Sequence, residues 1–389
     1  MPDKKSIITS ARHWLVKMPF TGPIRWGSGV RDGTTRLIVE LTTAGGIRGC
    51  GETICLLDFI RPVLEKCVLP LAEGKSVFDT EILHRQVLGA GYYHHKRAAV
   101  MALAAVDMAM WDAAGQIAGL PLHQLWGGAY RREIEMTAYL FMDEPGELAR
   151  RARDFQAQKY RSFKAKIGAN CEQDIAVVAT LRECLGAGVH LRADVNGAWT
   201  IGTAKRQLAR LARYELAFIE QPLEMDDLAG SAELRRCCAT PVALDESAYT
   251  LSDVANIIRN AAADIVLLDP HEQGGLKACL KAAALCESFN IPVTLHSGGE
   301  LGFSQAAYLH LAAACPNMTL SVDTEHSYLR GDVITRPFVV REGRLPVPDG
   351  PGLGVTADSG AIDTHAVDDI TGAYLDPARA DWFPVKPAY

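Results

Sequence analysis

The chain has 389 residues, of which 48% are hydrophobic and 22% charged, and its formal net charge is −6 at pH 7. This length predicts about two domains, and an acidic balance without a basic run argues against a nucleic-acid partner. The ten cysteines lack the spacing of a zinc site, so we expect reduced thiols in a cytoplasmic protein. The N-terminus lacks the apolar core of a signal peptide. The longest apolar stretch contains Asp107 and Asp112, so we expect no membrane span.

Residues 1–130 are predicted to form an α+β domain. An opening strand leads into a glycine-rich stretch, TGPIRWGSGVRDG, and the run RLIVELTTAGGIRGCGET is expected to form a hairpin that turns at residues 44–46. Helical patterning then continues to about Leu125. The apolar stretch AAVMALAAVDMAMWDAAGQIAG within it is predicted to be a buried helix.

Strands and helices alternate between residues 131 and 329. Eight β-type runs are each followed by a helical pattern or a loop: MTAYLFM, SFKAKIG, VHLRADVN, LAFIEQP, VALDES, DIVLLD, PVTLHS and TLSVDT. Eight such units predict an α/β fold with a closed parallel (β/α) barrel, a modified TIM barrel, rather than an open sheet. Several runs are almost continuously apolar, which is typical of strands covered on both faces.

Charged side chains stand at or near the ends of seven of these runs. They are Lys164, Lys166, Asp194, Glu220, Glu246, Asp269, His296 and Asp323. From Asp194 onward the spacings are 26, 26, 23, 27 and 27 residues, which is the length of one strand–helix unit. Burying these charges in the middle of strands would be prohibitive. We therefore expect them at the barrel mouth, where such barrels hold their catalytic groups.

Asp194, Glu220 and Glu246 end three consecutive strands of the predicted barrel. Three carboxylates brought together repel one another unless a cation holds them, and hard oxygen ligands suit Mg²⁺. The trio therefore predicts a magnesium site, against the alternative that each carboxylate caps a helix or pairs with an arginine. Asp245 is expected to point to the opposite face of its strand.

Lys164 and Lys166 are two residues apart, so their side chains share one face of a strand. Two neighbouring ammonium groups depress each other's pKa, and a lysine of lowered pKa can act as a base near neutral pH. We expect Lys166, the nearer to the mouth, to be the base. Lys164 would hold a substrate oxygen and lower the pKa of Lys166.

His296 and Asp269 end neighbouring strands, which predicts a dyad. Asp269 would fix the imidazole tautomer, leaving the other ring nitrogen of His296 free for proton transfer. His271 is a lower-ranked alternative because it falls in the following loop. Asp323 is expected to orient a substrate group or another donor, or else to cap a helix or a loop.

Residues 330–389 contain the run ITRPFVVREGRLPVPDGPGLGV, which predicts a hairpin-like segment before a proline-rich tail. Because the termini of a domain tend to lie close together, we expect this segment to pack back on the N-terminal domain.

Together these motifs resemble the enolase superfamily and, within it, the mandelate racemase-like subgroup. The matching elements are FKAK, RADVNGAW, IEQP, LDES, LD followed by GG, and LHS, and the helix AAVDMAMWDAAGQIAG is similar to that of the superfamily's capping domain. The tail MTLSVDTEHSYL with GRLPVPDGPGLGV is similar to acid-sugar dehydratases, including glucarate dehydratase.

The resemblance implies that Asp194, Glu220 and Glu246 bind Mg²⁺. Lys166 and His296 would flank the α-carbon of a carboxylate substrate, and the metal would stabilise the enediolate. The muconate cycloisomerase-like subgroup carries a lysine on the sixth strand, where this chain has Glu272 nearby. That difference disfavours cycloisomerase and dipeptide epimerase chemistry.

The leading hypothesis is dehydration of a sugar acid to a 2-keto-3-deoxy acid, and the alternative is racemisation or epimerisation of a 2-hydroxy or related acid. A non-catalytic binding barrel is disfavoured because each buried charge costs stability. We expect the glycine-rich segment 22–33 and residues near 52 to cover the mouth, with these candidate contacts: Asn196, Arg25, Trp26, Arg31, Glu52 and Thr53. Arginines would suit a second carboxylate or polyol, and Trp26 a less polar substrate. We also expect a homo-oligomer.

Overall fold

The computed structural model describes residues 4–26, 29–56, 58–89 and 95–370. Its N-terminal part is an antiparallel sheet of three strands, β1 (Ile8–Trp26), β2 (Gly29–Thr43) and β3 (Arg48–Ile54), in that order. β2 and β3 pair from Arg36↔Ile54 to Thr42↔Arg48, which confirms the predicted hairpin. This sheet and its helices are called the cap below.

The cap helices cover one face of the sheet. They are α1 (Ile60–Val63), a π-helical turn (Leu64–Val68), α2 (Leu69–Ala72), α3 (Thr80–Gly89), α4 (Lys96–Ala118) and α5 (Leu122–Leu125). Among the described residues, α4 alone is long and apolar enough to cross a membrane, but 83% of its most apolar window is buried inside the protein. Its hydrophobic surface therefore packs in the core, as the sequence predicted.

The close approach of β3 to α4 depends on glycine. A Cβ atom on Gly51 would lie 2.0 Å from the carbonyl oxygen of Ala105 in α4. We expect Gly51→Ala to lower the free energy of unfolding by about 1–3 kcal/mol, because backbone must move to make room. Gly22→Ala is the control, since nothing lies within 4 Å of its Cβ position. Equal urea midpoints for the two variants would contradict this packing.

The barrel follows the cap and confirms the predicted fold class. Its strands are β4 (Glu133–Leu140), β5 (Ser162–Lys166), β6 (His190–Asp194), β7 (Ile219–Glu220), β8 (Val242–Leu244), β9 (Ile265–Leu268), β10 (Val293–Leu295) and β11 (Val322–Asp323). They pair in parallel in chain order from β4 to β10, and β11 pairs with β4. The Thr294 hydroxyl donates to the Ser321 carbonyl at 2.8 Å, which joins the two remaining edges and nearly closes the barrel.

The helices around the barrel start close behind the strands. They are α6 (Pro145–Ala157), α7 (Cys171–Leu185), α8 (Ile201–Leu211), α9 (Leu228–Cys237), α10 (Leu251–Arg259), α11 (Pro270–Gln273), α12 (Leu276–Glu287) and α13 (Gly302–Ala314). Asn170, Thr200 and Thr250 cap α7, α8 and α10 by accepting backbone N–H groups. Short capped connections hold the residues at the strand ends in place.

The C-terminal segment contacts both parts of the molecule. Strand β12 (Arg344–Pro346) pairs antiparallel with β4 of the barrel. Helix α14 (Ser359–His365) lies against β1 of the cap, and the Val367 N–H donates to the Leu15 carbonyl at 2.9 Å. The proline-rich end of the predicted tail, residues 371–389, lies outside the described residues.

Candidate active site

The strand register brings the predicted residues to one end of the barrel. Lys166, Asp194 and Glu220 are the last residues of β5, β6 and β7, and each is the direct Cα partner of the next. Asp269 and His296 directly follow β9 and β10. A cavity of about 390 Å³ lies over this end, bordered by Lys166 and His296 from the barrel and by residues of the cap.

Two lysines and one asparagine connect the three predicted metal ligands. The Lys164 ammonium lies 3.0 Å from Asp194 Oδ2 and also donates to Glu220, and Lys166 lies 2.6 Å from Asp194 Oδ2. Asn196 accepts from Lys166 at 2.9 Å and donates to Glu246 at 2.9 Å.

The donor chemistry of the trio fits a hard cation. Glu220 Oε2 and Glu246 Oε2 are buried and have no hydrogen-bond partner among the described residues. Burial, and then repulsion from the charge of Asp194, raise the pKa of Glu220 to about 7. A bound cation relieves repulsion of this kind. Within the described ranges, however, the group with three ligand atoms inside 4.8 Å is Asp269, Glu272 and His296. In the predicted trio, Asp194 and Glu220 contact the lysines instead, and Glu246 contacts Asn196.

The structure contradicts the expectation that Lys166 has a lowered pKa, although the charge of Lys164 does act in the lowering direction. Burial alone would lower the pKa of both lysines, but the charge of Asp194 raises each pKa above its ordinary value. At Lys164 the charge of Glu220 adds to this effect. The spacing of the two lysines reveals the neighbouring ammonium, but the carboxylates beside it come from the neighbouring strands β6 and β7. Without a competing cation, Lys166 is therefore held protonated.

The structure brings His296 and Asp269 together as a dyad. His296 Nδ1 lies 3.1 Å from Asp269 Oδ2. The other oxygen, Asp269 Oδ1, accepts from the Tyr308 hydroxyl at 3.0 Å and from the His271 N–H at 2.8 Å. Burial would raise the Asp269 pKa, but the charge of His271 and the hydrogen bond from His296 lower it to about 2. Asp269 thus stays ionised and fixes the ring, and His296 Nε2 remains for proton transfer.

His271 and Asp245 lie elsewhere than the sequence suggested. His271 is fully buried with its Nε2 2.7 Å from Arg36 Nη2, and burial lowers its pKa to about 3, so it does not compete with His296. Asp245 was expected on the opposite face, and this prediction is wrong: it borders the cavity, 3.6 Å from His296 Nε2. Strand β8 ends at Leu244, so the alternation of a strand no longer applies there.

Two of the predicted cover residues border the cavity. Trp26 and Arg31 line it. The Arg31 guanidinium stacks 4.8 Å above the Trp26 ring and pairs with Glu325 at 3.0 Å.

Arg25 and Thr53 were predicted to bind substrate, and neither borders this cavity. Arg25 is exposed because its neighbours on β1, Ile24 and Trp26, face inward. Thr53 is fully buried inside the cap.

Glu52 and Asp323 are also buried away from the cavity. Glu52 forms a buried ion pair with Arg36 at 2.6 Å. Asp323 lies below the cavity, where it holds Lys164 at 2.8 Å and also accepts from Arg192. It positions Lys164 and has no place beside a substrate.

Sequence reasoning missed several residues of the site. Tyr139 on β4 lies beneath both lysines, with its ring centre 5.0 Å from Lys164 Nζ and 5.4 Å from Lys166 Nζ. Arg97 of the cap lies 4.3 Å over the ring of Tyr249, and both border the cavity. No charge marks the end of β4, and no spacing links α4 to the barrel, so neither contact has a signal in the sequence.

Two family descriptions match most of the chain. Residues 9–127 match the mandelate racemase / muconate lactonizing enzyme N-terminal domain, and residues 147–361 match the enolase C-terminal domain-like family. A probable glucarate dehydratase of Streptomyces coelicolor is 31% identical over 84% of this chain and 83% of its own length. An N-succinylamino acid racemase of Amycolatopsis is 33% identical over 87% and 92%. Other relatives are named as epimerases and cycloisomerases.

Solved structures give the same picture. An enolase from Streptomyces coelicolor superposes with a TM-score of 0.87 at 30% identity, covering 94% of this chain and all of the other. An enolase from Thermobispora bispora, complexed with magnesium and formate, superposes with a TM-score of 0.84 at 29% identity over 92% of each chain.

Proposed function

This chain belongs to the mandelate racemase / muconate lactonizing enzyme family of the enolase superfamily, and from that premise we propose that it is a Mg²⁺-dependent dehydratase of a sugar acid. The observation that carries the proposal is that Lys166 and His296 border one cavity from different strands, beside a cluster of carboxylates. The named dehydratases among its relatives support the choice of reaction.

Asp194, Glu220 and Glu246 would hold the magnesium ion. When bound, the cation supplies positive charge that offsets the carboxylates raising the Lys166 pKa and that stabilises an enediolate on the substrate. Asn196 links Lys166 to Glu246 and keeps the base beside the ligand set.

Lys166 removes the proton α to the substrate carboxylate. His296 then donates its Nε2 proton to the β-hydroxyl, the β-carbon–oxygen bond breaks, and water leaves. The resulting enol loses its hydroxyl proton to water, gains one at the β-carbon and becomes a 2-keto-3-deoxy acid. Asp269, held ionised by its surroundings, orients the His296 ring before and after the ring gives up its proton.

Racemisation or epimerisation at the α-carbon is the second candidate. It needs two proton carriers on different sides of the substrate, and the placement of Lys166 on β5 and His296 after β10 supports it. In this case His296 would return a proton to the α-carbon and no water would be lost. The expected homo-oligomer and cytoplasmic location stay predictions.

The proposal is tested by proton exchange and product release with a panel of sugar acids. In D₂O with Mg²⁺, we expect deuterium at the α-position of a cognate acid and a keto acid that reacts with semicarbazide. Exchange with inversion and no keto acid would favour the racemase. Absence of exchange for every acid would contradict both candidates.

Magnesium binding gives a separate prediction. We expect Glu246→Gln to weaken Mg²⁺ binding at least about 10-fold in calorimetry, because it removes a charged hard ligand. Glu233→Gln is the matched control, since Glu233 is an exposed residue paired with Lys205 on the barrel surface. Unchanged affinity in Glu246→Gln would exclude Glu246 as a ligand.

A further inference from the structure

The lining of the active-site cavity divides into a polar inner end and an apolar outer end. The inner end holds the residues of the proposed chemistry, which are Lys166, Asn196, Asp245, Glu246, Glu272 and His296. The outer end is formed by large apolar side chains from the cap and from the residue that follows β4, which are Trp26, Ile54, Leu56, Phe59, Met101 and Phe141. A substrate whose carboxylate and α-carbon lie at the inner end must therefore point its far end at hydrocarbon.

The two arginines that border the cavity are already engaged. Arg31 pairs with Glu325 at 3.0 Å, with Glu325 almost fully buried beside it. Arg97 stacks on Tyr249 at 4.3 Å, and its charge acts on Glu272. The Arg31 charge thus faces a buried carboxylate, and the Arg97 charge lies against an aromatic ring. Arg31 Nε, which has no hydrogen-bond partner among the described residues, adds a donor for at most one neutral oxygen.

The internal residues outside the described ranges add no positive charge. Positions 27, 28, 57 and 90–94 contain no lysine or arginine. Among the described residues, a second carboxylate at the outer end would therefore lose hydration and meet no cation except Arg31, which Glu325 already pairs, and Arg97, which is stacked on Tyr249. A hydroxyl there would often lose a hydrogen-bond partner. A methyl group in the same place gains from burial.

We propose that the substrate is a monocarboxylic hydroxy acid with an apolar far end, a methyl-ended deoxy sugar acid, rather than a diacid. This inference rests on the proposed function, because the dehydration fixes which end of the molecule lies at Lys166. It narrows the expectation from the sequence, in which the arginines of the cover were available to a second carboxylate.

The test compares acids that differ only at the carbon farthest from the reacting carboxylate. For each configuration at the reacting carbons, the deoxy acid (methyl), the aldonic acid (hydroxymethyl) and the aldaric acid (carboxylate) are assayed with Mg²⁺ for α-deuterium exchange and keto-acid release. We expect kcat/KM to fall from methyl to hydroxymethyl to carboxylate, by more than about 100-fold overall. A diacid used as well as the deoxy acid would overturn the inference. Exchange with none of the acids would overturn the proposed function itself.

A pair of variants tests the role of the outer end directly. Phe59 and Phe78 are both cap phenylalanines with about half their surface exposed, 49% and 55%, but only Phe59 borders the cavity. We expect Phe59→Lys to raise kcat/KM for the diacid relative to the deoxy acid by at least about 10-fold, because it supplies the missing cation. Phe78→Lys should leave that ratio unchanged. An unaltered ratio in Phe59→Lys would overturn the inference.

Discussion

Replacement of Lys166 by arginine is expected to abolish α-proton exchange and to lower kcat by at least about 100-fold. Arginine keeps the positive charge that Asp194 binds at 2.6 Å in the native protein, but it does not deprotonate and so cannot be a base. A variant that keeps the ion pair and loses exchange would separate the catalytic role of Lys166 from a structural one.

His296→Asn gives the complementary result under the proposed mechanism. The α-proton still leaves to Lys166, so deuterium exchange continues, but the β-hydroxyl has lost its acid and keto-acid formation falls at least about 100-fold. In a racemase, each of the two variants would instead lose exchange for one enantiomer only. Lys205→Met, which removes an exposed lysine paired with Glu233, serves as the surface control. Normal exchange in Lys166→Arg would contradict the assignment of the base.

The barrel and the position of the candidate site could be predicted from the sequence because both follow from a repeated local pattern. Each strand–helix unit repeats at a near-constant length, and parallel strands bring their ends to one side. The pairing of Lys166 with Asp194, and of Asp194 with Glu220, follows once the strand ends are known. The dyad of His296 and Asp269 has the same origin.

The electrostatics and the cavity lining could not be read in this way. The lysine pKa values depend on carboxylates brought in by neighbouring strands, and Asp245 depends on where β8 ends. Arg25 and Thr53 lie in segments that do reach the mouth, but strand alternation turns Arg25 outward and burial holds Thr53 inside the cap. Knowing that a segment covers a site does not identify the side chains that face it.

Nothing in the sequence predicted that the buried pair of Arg36 and Glu52 connects the cap to the dyad of His296 and Asp269. The Arg36 nitrogen Nε lies 2.6 Å from Glu52 Oε1. Arg36 Nη2 lies 2.7 Å from His271 Nε2, and Arg36 Nη1 donates to the Gly298 carbonyl at 3.2 Å. His271 in turn donates its backbone N–H to Asp269. One cap arginine thus holds the segments that follow both β9 and β10, and with them the two members of the dyad.

Arg36→Met is therefore expected to lower the free energy of unfolding by about 3–5 kcal/mol, because it leaves Glu52 as a buried charge without its partner. Arg12→Met is the matched control: Arg12 also lies on the cap sheet and meets Glu40 at 2.6 Å, but its side chain is 62% exposed, so its loss should cost less than about 1 kcal/mol. The double variant Arg36→Met/Glu52→Met should cost less than the sum of its single changes, since the stranded charge is gone. Urea midpoints are measured for the wild type and the four variants, which include the single change Glu52→Met. Similar losses of unfolding free energy in the Arg36 and Arg12 variants would mean that burial does not strengthen the dependence of Glu52 on Arg36. The pair of Arg36 and Glu52 would then not anchor the dyad to the cap.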